Sequence, residues 1–505
     1  MRRSYRAVVG LFRLVVRMFF RRVEVIGLEH LPADGGGILV SWHPNGMVDP
    51  GLIITHFPMQ VVFGARHGLF RVPGLGLLMR LIGTVPVYRA VDQGVVDPEV
   101  RREANLRSLD ALANEVAGGS FSCLFPEGDS HDNPNLLALK TGAARFYYRA
   151  RQLSPQGAKP PVIIPVGLHY DEKRAFRSSA LVAFHPPIQL TADLDISPVE
   201  DEDPDLARSR SRKLTDEINR VLREVVHATE SWELHHLMHR ARKLVRAERA
   251  LRAGEVDLGP TKMEERILGF ARVWAGYYQR LQTHPEHVNE VVDRVREYNS
   301  DLRALGLEDH ELDRDPRLAS PWLYGILVLQ ILLVFFLMPP VLLLGYLVNG
   351  PTALLVWGAS KYFKKRRKDE ATIKALLGSL AFPITWIGIG ILAARAHVLL
   401  HTLFPNMPEG AVMTGIASTA LAILGGAIAL RYLRVAQETM RSVRVRLTRA
   451  RRSAAIRRLK LERAELHDLI IGLAEDLELP GEVGPAGRVR LPAQPGGTGD
   501  EVVPS

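Results

Sequence analysis

The chain has 505 residues, 47% hydrophobic and 24% charged, with a formal net charge of +10 at pH 7 and a mean hydropathy of +0.01. That length excludes a single core, and so apolar a chain with so many charges points to a soluble part and a membrane part. One cysteine, Cys123, excludes an intrachain disulfide and suggests a reducing compartment, while the basic balance leaves nucleic acid, anionic lipid or a phosphorylated substrate, of which the long apolar runs favour the last two.

Residues 1–22 read as an amphipathic helix lying in a membrane interface. At about 100° per residue Arg6, Arg13, Arg17 and Arg21 fall on one side, with Val9, Leu11, Leu14, Val15, Met18 and Phe19 around the rest. The arginines break the apolar stretch and no small-residue cleavage site follows, which argues against a signal peptide. The alternative is a surface helix packed on its own domain.

Residues 23–203 alternate short β-branched runs with helical ones. "GGILVSW", "MQVVFGA", "GTVPVY", "SCLFPEG", "PVIIPVGLHY" and "ALVAFHPPI" read as strands, and "PEVRREANLRSLDALANEV" and "ALKTGAARFYYRARQL" as helices. This alternation argues an α/β domain, a sheet with crossover helices. The glycines at 35–37 lack the ending and spacing of a phosphate loop and read as a turn before a strand.

Residues 204–317 are helical and charged, with an apolar stripe of Leu214, Ile218, Val221, Leu222 and Val225. His235 and His239 stand four apart as a metal pair would, but no third ligand is near, so a solvated helix and no metal site are expected. Residues 318–430 form a transmembrane region: 318–360 carry no charge, and 375–394 and 411–430 are each twenty residues without one, the length of a bilayer span. Pro339-Pro340 and Asn349-Gly350-Pro351 interrupt the first stretch, which reads as a hairpin, spanning or re-entrant. "KYFKKRRK" at 361–368 and the arginines after Leu430 belong on the cytoplasmic side. Two spans between them satisfy that parity, and the hairpin returns the chain to the side of the α/β domain. Residues 431–479 form a basic cytoplasmic helix against anionic lipid, or a solvated or coiled-coil helix, since Leu459, Leu466 and Leu473 keep a seven-residue period. Residues 480–505, rich in Pro and Gly, read as disordered.

The chemistry centres on "SWHPNGMVDP" at 41–50. On a regular helix His43 and Asp49 would point to different sides, but Pro44, Asn45 and Gly46 after a strand signal a turn. A turn can bring imidazole and carboxylate together, so that the carboxylate holds one ring nitrogen as N–H and leaves the other free as a base. Alone the pair is also compatible with a polar loop. It is followed by "GTVPVYR" at 83–89, "FPEGDSHD" at 125–132 and "VIIPVGLHY" at 162–170.

With these four blocks in this order, the sequence resembles the glycerolipid acyltransferases, which carry a His-Asp block, a G-x5-R block, an F-P-E-G block and a V-x-P-V-like block. "FPEGDSHDNPNLLALKTGAA", "HYDEKRAFRSSALVAF" and "VREYNSDLRALGLEDHELD" look like the fungal-type glycerol-3-phosphate/dihydroxyacetone-phosphate acyltransferases, over most of residues 35–440. Five residues separate His43 from Asp49 where most of the superfamily has four, which reads as a one-residue bulge. Asp129 stands where many members have Thr; it is expected to point away or to pair with a base such as Lys140.

The resemblance implies a mixed sheet flanked by helices, and a membrane-bound enzyme of phospholipid biosynthesis. His43 is the expected general base and Asp49 its orienter. Arg89 is expected to bind the acceptor phosphate. The block Phe125, Pro126, Glu127 and Gly128 is expected to meet substrate, with Gly128 giving close backbone approach and Glu127 orienting Arg89 or binding a glycerol hydroxyl. Lys140 is a further candidate, and His67, His131 and His169 have no assigned role. Acyl-CoA or acyl carrier protein donates the chain, glycerol-3-phosphate accepts it at its first hydroxyl, and dihydroxyacetone phosphate is a second acceptor. No metal, cofactor or nucleic acid is expected. The rival readings are a lysophosphatidic acid acyltransferase and, outside enzymes, an inactive membrane scaffold or lipid-transfer protein.

Overall fold

The computed structural model describes residues 3–71, 75–87, 98–173, 175–199, 202–255, 261–313, 321–362, 370–484 and 488–490. They divide into two compact units, residues 1–231 with 358–379 and residues 232–357 with 380–505.

The first unit is built on a seven-stranded sheet: β1 (Phe20–Ile26), β2 (Gly37–Ser41), β3 (Val61–Arg66), β4 (Val85–Val87), β5 (Phe121–Leu124), β6 (Val162–Tyr170) and β7 (Ser178–Phe184). Their order is β1-β7-β6-β2-β5-β3-β4, parallel throughout except for antiparallel β6–β7. The sheet is mixed, as expected. β2 and β7 are buried along their whole length, which is why they read as continuous apolar runs rather than alternating ones. The turn expected at 35–37 is present, with Gly35 at φ +87°, and the next glycine is needed for closeness: a Cβ on Gly36 would lie 2.2 Å from the Val116 carbonyl oxygen.

The helices of this unit are α1 (Arg3–Phe19), α2 (Val48–His56), α3 (Leu75–Leu81), α4 (Pro98–Ala117), α5 (Gly142–Leu153) and α6 (Pro204–Val226). The stripe expected on α6 is buried, with Leu214, Ile218, Leu222 and Val225 in the core. α1 departs from the simple interfacial picture. Tyr5, Val8, Val9, Val16 and Phe19 are buried in the domain core, and Tyr5 Oη accepts from the Val61 N–H at 3.0 Å. Leu11 and Leu14 remain exposed beside Arg6, Arg13 and Arg17, so packing takes one face and leaves an amphipathic outer one. Arg21, expected on the helix, lies in β1.

In the second unit α7 (Trp232–Arg252), α8 (Met263–Thr283), α9 (Pro285–Leu305) and α15 (Ser453–Leu473) form a helical bundle. Leu459 and Leu466 are 2% and 0% exposed in its core with Leu244, Tyr298 and Leu302, so the seven-residue period serves an intramolecular core rather than lipid or a coiled coil. His235 and His239 are not on a solvated face: both rings pack on Phe270, and burial pushes His239 down to about 2. A charged lock crosses the bundle. Arg463, 0% exposed, meets Glu248 at 3.0 Å and Asp313 at 2.6 Å, and Arg240 meets Asp309 at 2.5 Å. Residues 480–490 are not disordered throughout: Glu482–Val483 (β8) and Val489–Arg490 (β9) pair as a short antiparallel hairpin. Residues 491–505 and the basic run at 363–368 lie outside the described residues.

The apolar region contains α10 (Pro321–Leu332), a π-helical turn (Leu333–Leu337), α11 (Met338–Val341), α12 (Leu343–Tyr362), α13 (Glu370–Leu403) and α14 (Ala411–Arg451). The expected hairpin in 318–360 is not formed. The prolines have no N–H to donate, and the ladder widens to a π turn before Pro339 instead of reversing. Helical bonding continues through Leu342, and contacts with α14 fall steadily: Gln330 with Thr439, Val334 with Tyr432, Gly345 with Gly425, Asn349 with Ala422. That order describes one path antiparallel to α14. Ile373–Leu403 and Ala411–Val445 are long and apolar enough to cross a bilayer, and only 6% and 11% of their most apolar windows is buried. Outward rows such as Leu380, Ile384, Ile387 and Ile391 suit lipid.

Candidate active site

Two adjacent parallel strands set the site. β2 and β5 are in register at Val40↔Leu124, so His43 and Glu127, each three residues further on, emerge together at the carboxyl ends, where open α/β sheets bind ligands. The extra residue between His43 and Asp49 is absorbed in the turn Asn45–Val48, with Gly46 at φ +54° and the Val48 N–H donating to the Asn45 carbonyl at 3.1 Å. Asp49 then falls in the first turn of α2, where helix-terminal N–H groups favour a carboxylate.

His43 Nδ1 lies 2.8 Å from Asp49 Oδ2. Asp49 is 0% exposed, and it also accepts from the Asn45 N–H at 2.7 Å and from the Tyr170 hydroxyl. Three donors thus converge on one carboxylate. The carboxylate therefore fixes the proton on Nδ1 and leaves the Nε2 lone pair open. The imidazole stacks on Phe125 with centroids 4.1 Å apart, which fixes the ring plane. His43 retains 16% exposure, so a small solute can reach it.

The F-P-E-G segment is a turn with Gly128 at φ +72° and its N–H bonded to the Phe125 carbonyl at 2.9 Å. Pro126 is buried. The Glu127 carboxylate points into its own loop. Its side chain is 0% exposed, Oε1 accepts from the His43 N–H at 3.0 Å, and Oε2 accepts from the Leu137 N–H at 2.7 Å. His131 Nε2 also lies against Oε2, while its Nδ1 accepts from the Asn133 N–H at 3.2 Å, so the proton belongs on Nε2. Glu127 and His131 are thus a clamp that fixes the His43 backbone. Lys140 is exposed, and its Nζ would be 2.6 Å from a Cβ on Gly128, so an ammonium lies over the turn. Among the described residues Lys140 has no ion-pair partner, so the expected pair with Asp129 is not made; Asp129 Oδ1 accepts from the Ser130 N–H at 3.0 Å. Arg89 lies outside the described residues.

Tyr170 and Lys173 belong to the site and were not singled out from sequence. Burial, with Asp49 beside it, raises Tyr170 well above the usual phenol range, so it is a donor at any ordinary pH. Lys173 Nζ is 2.5 Å from Asp132 Oδ1, its carbonyl accepts from the Asn45 amide at 3.0 Å, and burial lowers it to about 8. The signal available was the parallel pairing of "GILVS" with "VIIPV", which carries Tyr170 up to the His43 turn.

The profile of the family described as Acyltransferase matches residues 22–169, and that of the Glycerol-3-phosphate acyltransferase 2 C-terminal domain matches residues 263–478. An uncharacterised acyltransferase of Schizosaccharomyces pombe is 23% identical over 94% of this chain and 81% of its own length. Glycerol-3-phosphate O-acyltransferase 1 of Saccharomyces cerevisiae is 27% identical over 46% of this chain. A solved structure, the 1-acyl-sn-glycerophosphate acyltransferase of Thermotoga maritima, covers 43% of this chain and 79% of its own, at 17% identity and a TM-score of 0.29. Residues 22–169 thus carry an acyltransferase domain and residues 263–478 a segment like the C-terminal domain of a glycerol-3-phosphate acyltransferase, which together support an enzyme of the acyltransferase class. The second segment and the yeast relatives support a likeness to the fungal-type glycerol-3-phosphate branch. The chain spans about a quarter of the Saccharomyces relative and of a second from the same yeast, Glycerol-3-phosphate O-acyltransferase 2: 27% of the first and 23% of the second.

Proposed function

We propose that this chain transfers an acyl group from an acyl-CoA or acyl carrier protein thioester to the first hydroxyl of glycerol-3-phosphate, with dihydroxyacetone phosphate as a second acceptor. The observation that carries the proposal is the His43–Asp49 contact at 2.8 Å, made through Nδ1, with no hydrogen bond to Nε2 among the described residues. His43 Nε2 takes the hydroxyl proton as the oxygen attacks the thioester carbonyl, and the thiol leaves with a proton returned to it. The thioester is already activated, so no covalent enzyme intermediate is required. Asp49 holds the tautomer and stabilises the imidazolium, and Tyr170 and Asn45 hold Asp49. Arg89 binds the acceptor phosphate as a planar, bidentate cation, with Lys140 as a second positive group. The yeast relatives named for glycerol-3-phosphate support the acceptor, and the membrane character of the product supports an enzyme held at a bilayer.

The catalytic unit works on the cytoplasmic side, where its anionic, water-soluble substrates are, and α13 and α14 each cross the bilayer, with the arginines after Leu430 on the cytoplasmic side. The turn between these helices then faces the opposite side. A cysteine introduced at Asn406, with Cys123 removed, should be labelled in sealed vesicles only from the non-cytoplasmic face; labelling only from the cytoplasm contradicts this orientation.

The reaction itself is tested by thin-layer analysis of radiolabelled glycerol-3-phosphate incubated with membranes and an acyl donor. A monoacylated product is expected. Labelled lysophosphatidic acid as the sole acylated acceptor points to the other glycerol position, and no product with either acceptor points to a scaffold.

A further inference from the structure

A cavity of about 270 Å³ lies inside the second unit, between α7, α8, α9 and α15 and against the β8–β9 hairpin. Its floor is apolar: Val288, Val291, Val292 and Val295 of α9 line it at positions i, i+3, i+4 and i+7, opposite Leu237 and Ile470. The volume is just below the roughly 300–1,000 Å³ of ordinary small-molecule sites, room for one chain rather than two. The remaining wall is basic, with Arg242, Arg246, Arg249, Arg272 and Arg280 against only Glu265 and Glu475.

Three of these arginines are occupied. Arg246 meets Glu265 at 3.2 Å, Arg272 donates to the Gly481 carbonyl at 2.7 Å, and Arg280 donates to the Leu473 carbonyl at 2.7 Å. Arg242 and Arg249 have no side-chain hydrogen bond or ion pair among the described residues. Arg242 is 8% exposed and its Nε is buried without a partner. Room for it is built in: a Cβ on Gly269 would lie 3.2 Å from both Cγ and Cδ of Arg242. Burial, with Arg266 and Arg246 nearby, lowers Arg242 to about 10, and burial lowers Arg249 as well. An enclosed guanidinium whose nearby carboxylates, Glu265 and Asp309, are already paired with Arg246 and Arg240 calls for a further anion.

We propose that this cavity binds a single-chain lipid phosphate, its acyl chain along the valine stripe of α9 and its phosphate on Arg242 and Arg249. Two guanidiniums without ion pairs of their own suit a phosphate monoester better than a carboxylate, and guanidinium matches phosphate geometry. The product of the reaction proposed above is a lipid of this class, so the cavity would sense product; that consequence rests on the proposed function, whereas the binding site does not.

The test uses full-length protein carrying His43→Ala, with no acyl donor present so that no turnover can occur, in phosphatidylcholine nanodiscs. The probe is radiolabelled oleoyl lysophosphatidic acid, with oleate, lysophosphatidylcholine and inorganic phosphate as competitors. Saturable binding of one probe per chain is expected, weakened by at least about tenfold by Arg242→Gln, the loss of one charged phosphate contact. Arg242→Gln should leave the unliganded protein as stable or more so, because it removes an unpaired buried charge, while the probe no longer raises its Tm. Val292→Trp, which fills the apolar end, should block the probe equally. The proposal is overturned if the probe does not saturate, if both variants bind it normally, or if oleate or lysophosphatidylcholine competes as well as unlabelled probe. Acyl transfer by the wild-type chain is a separate measurement, so either idea can fail alone.

Discussion

His43→Ala is expected to lower kcat/KM for acyl transfer by roughly 10²–10⁴-fold, the usual worth of a positioned general base. Abundance and membrane insertion should stay close to wild type, since the imidazole is at the edge of the core, stacked on Phe125. Asp49→Asn should remove a large part of the same factor by a different route. The amide can still accept one bond, but it no longer requires the Nδ1–H tautomer, and it meets the Asn45 N–H and the Tyr170 hydroxyl without the charge they surround. Because Asp49 is fully buried, this variant should also lose some stability, and His43→Ala should not. Initial rates of the purified proteins with one acyl donor check both. Substantial turnover by His43→Ala would show that the base lies elsewhere.

Arg463→Ala is expected to destabilise the helical bundle by about 3–5 kcal/mol, the range for breaking a buried pair and leaving its partner charged. The side chain is 0% exposed and joins Glu248 of α7 to Asp313 and to the Asp309 carbonyl, which accepts at 2.9 Å. Its removal strands two carboxylates in a water-poor interior and opens a cavity beside Leu459 and Leu466. Arg463→Lys keeps the charge but cannot fork to both acids, so it should recover part of the loss. Thermal unfolding followed by protection of the 232–313 segment from protease gives the measurement. A midpoint unchanged by Arg463→Ala would mean that the acids are satisfied by other groups, such as Lys460, which lies 3.3 Å from Asp313.

Much of the catalytic unit was legible because its buried strands are continuous β-branched runs. Three elements escaped, β1, α2 and α3. β1, "FRRVEVI", has Arg21, Arg22 and Glu24 at an edge of the sheet, and its first arginine continues the helical spacing of α1. α2, "VDPGLIITH", carries Pro50 and Gly51, which read as turn residues, although proline is tolerated in a first turn whose N–H groups need no helical partner. The His43–Asp49 pair could be read because six positions and a Pro-Asn-Gly turn lie within one local stretch. Tyr170 could not, because it stands 121 residues from Asp49 and reaches it only through strand pairing. For Glu127 the residue was legible and the task was not: a carboxylate in a conspicuous loop reads as a ligand contact, whereas its two oxygens hold the loop itself. The same limit hid the lock around Arg463, whose partner Glu248 is 215 residues away.

The most direct test is the ratio of kcat/KM for glycerol-3-phosphate and for lysophosphatidic acid, measured on the purified protein with one acyl donor. A small acceptor has no chain to bury and depends on its phosphate, whereas a lysophospholipid gains about 0.8 kcal/mol per buried methylene. The account predicts a clear preference for glycerol-3-phosphate, and a KM for it that Arg89→Ala raises more than it raises the KM for lysophosphatidic acid. A clear preference for lysophosphatidic acid, unchanged by Arg89→Ala, would contradict it.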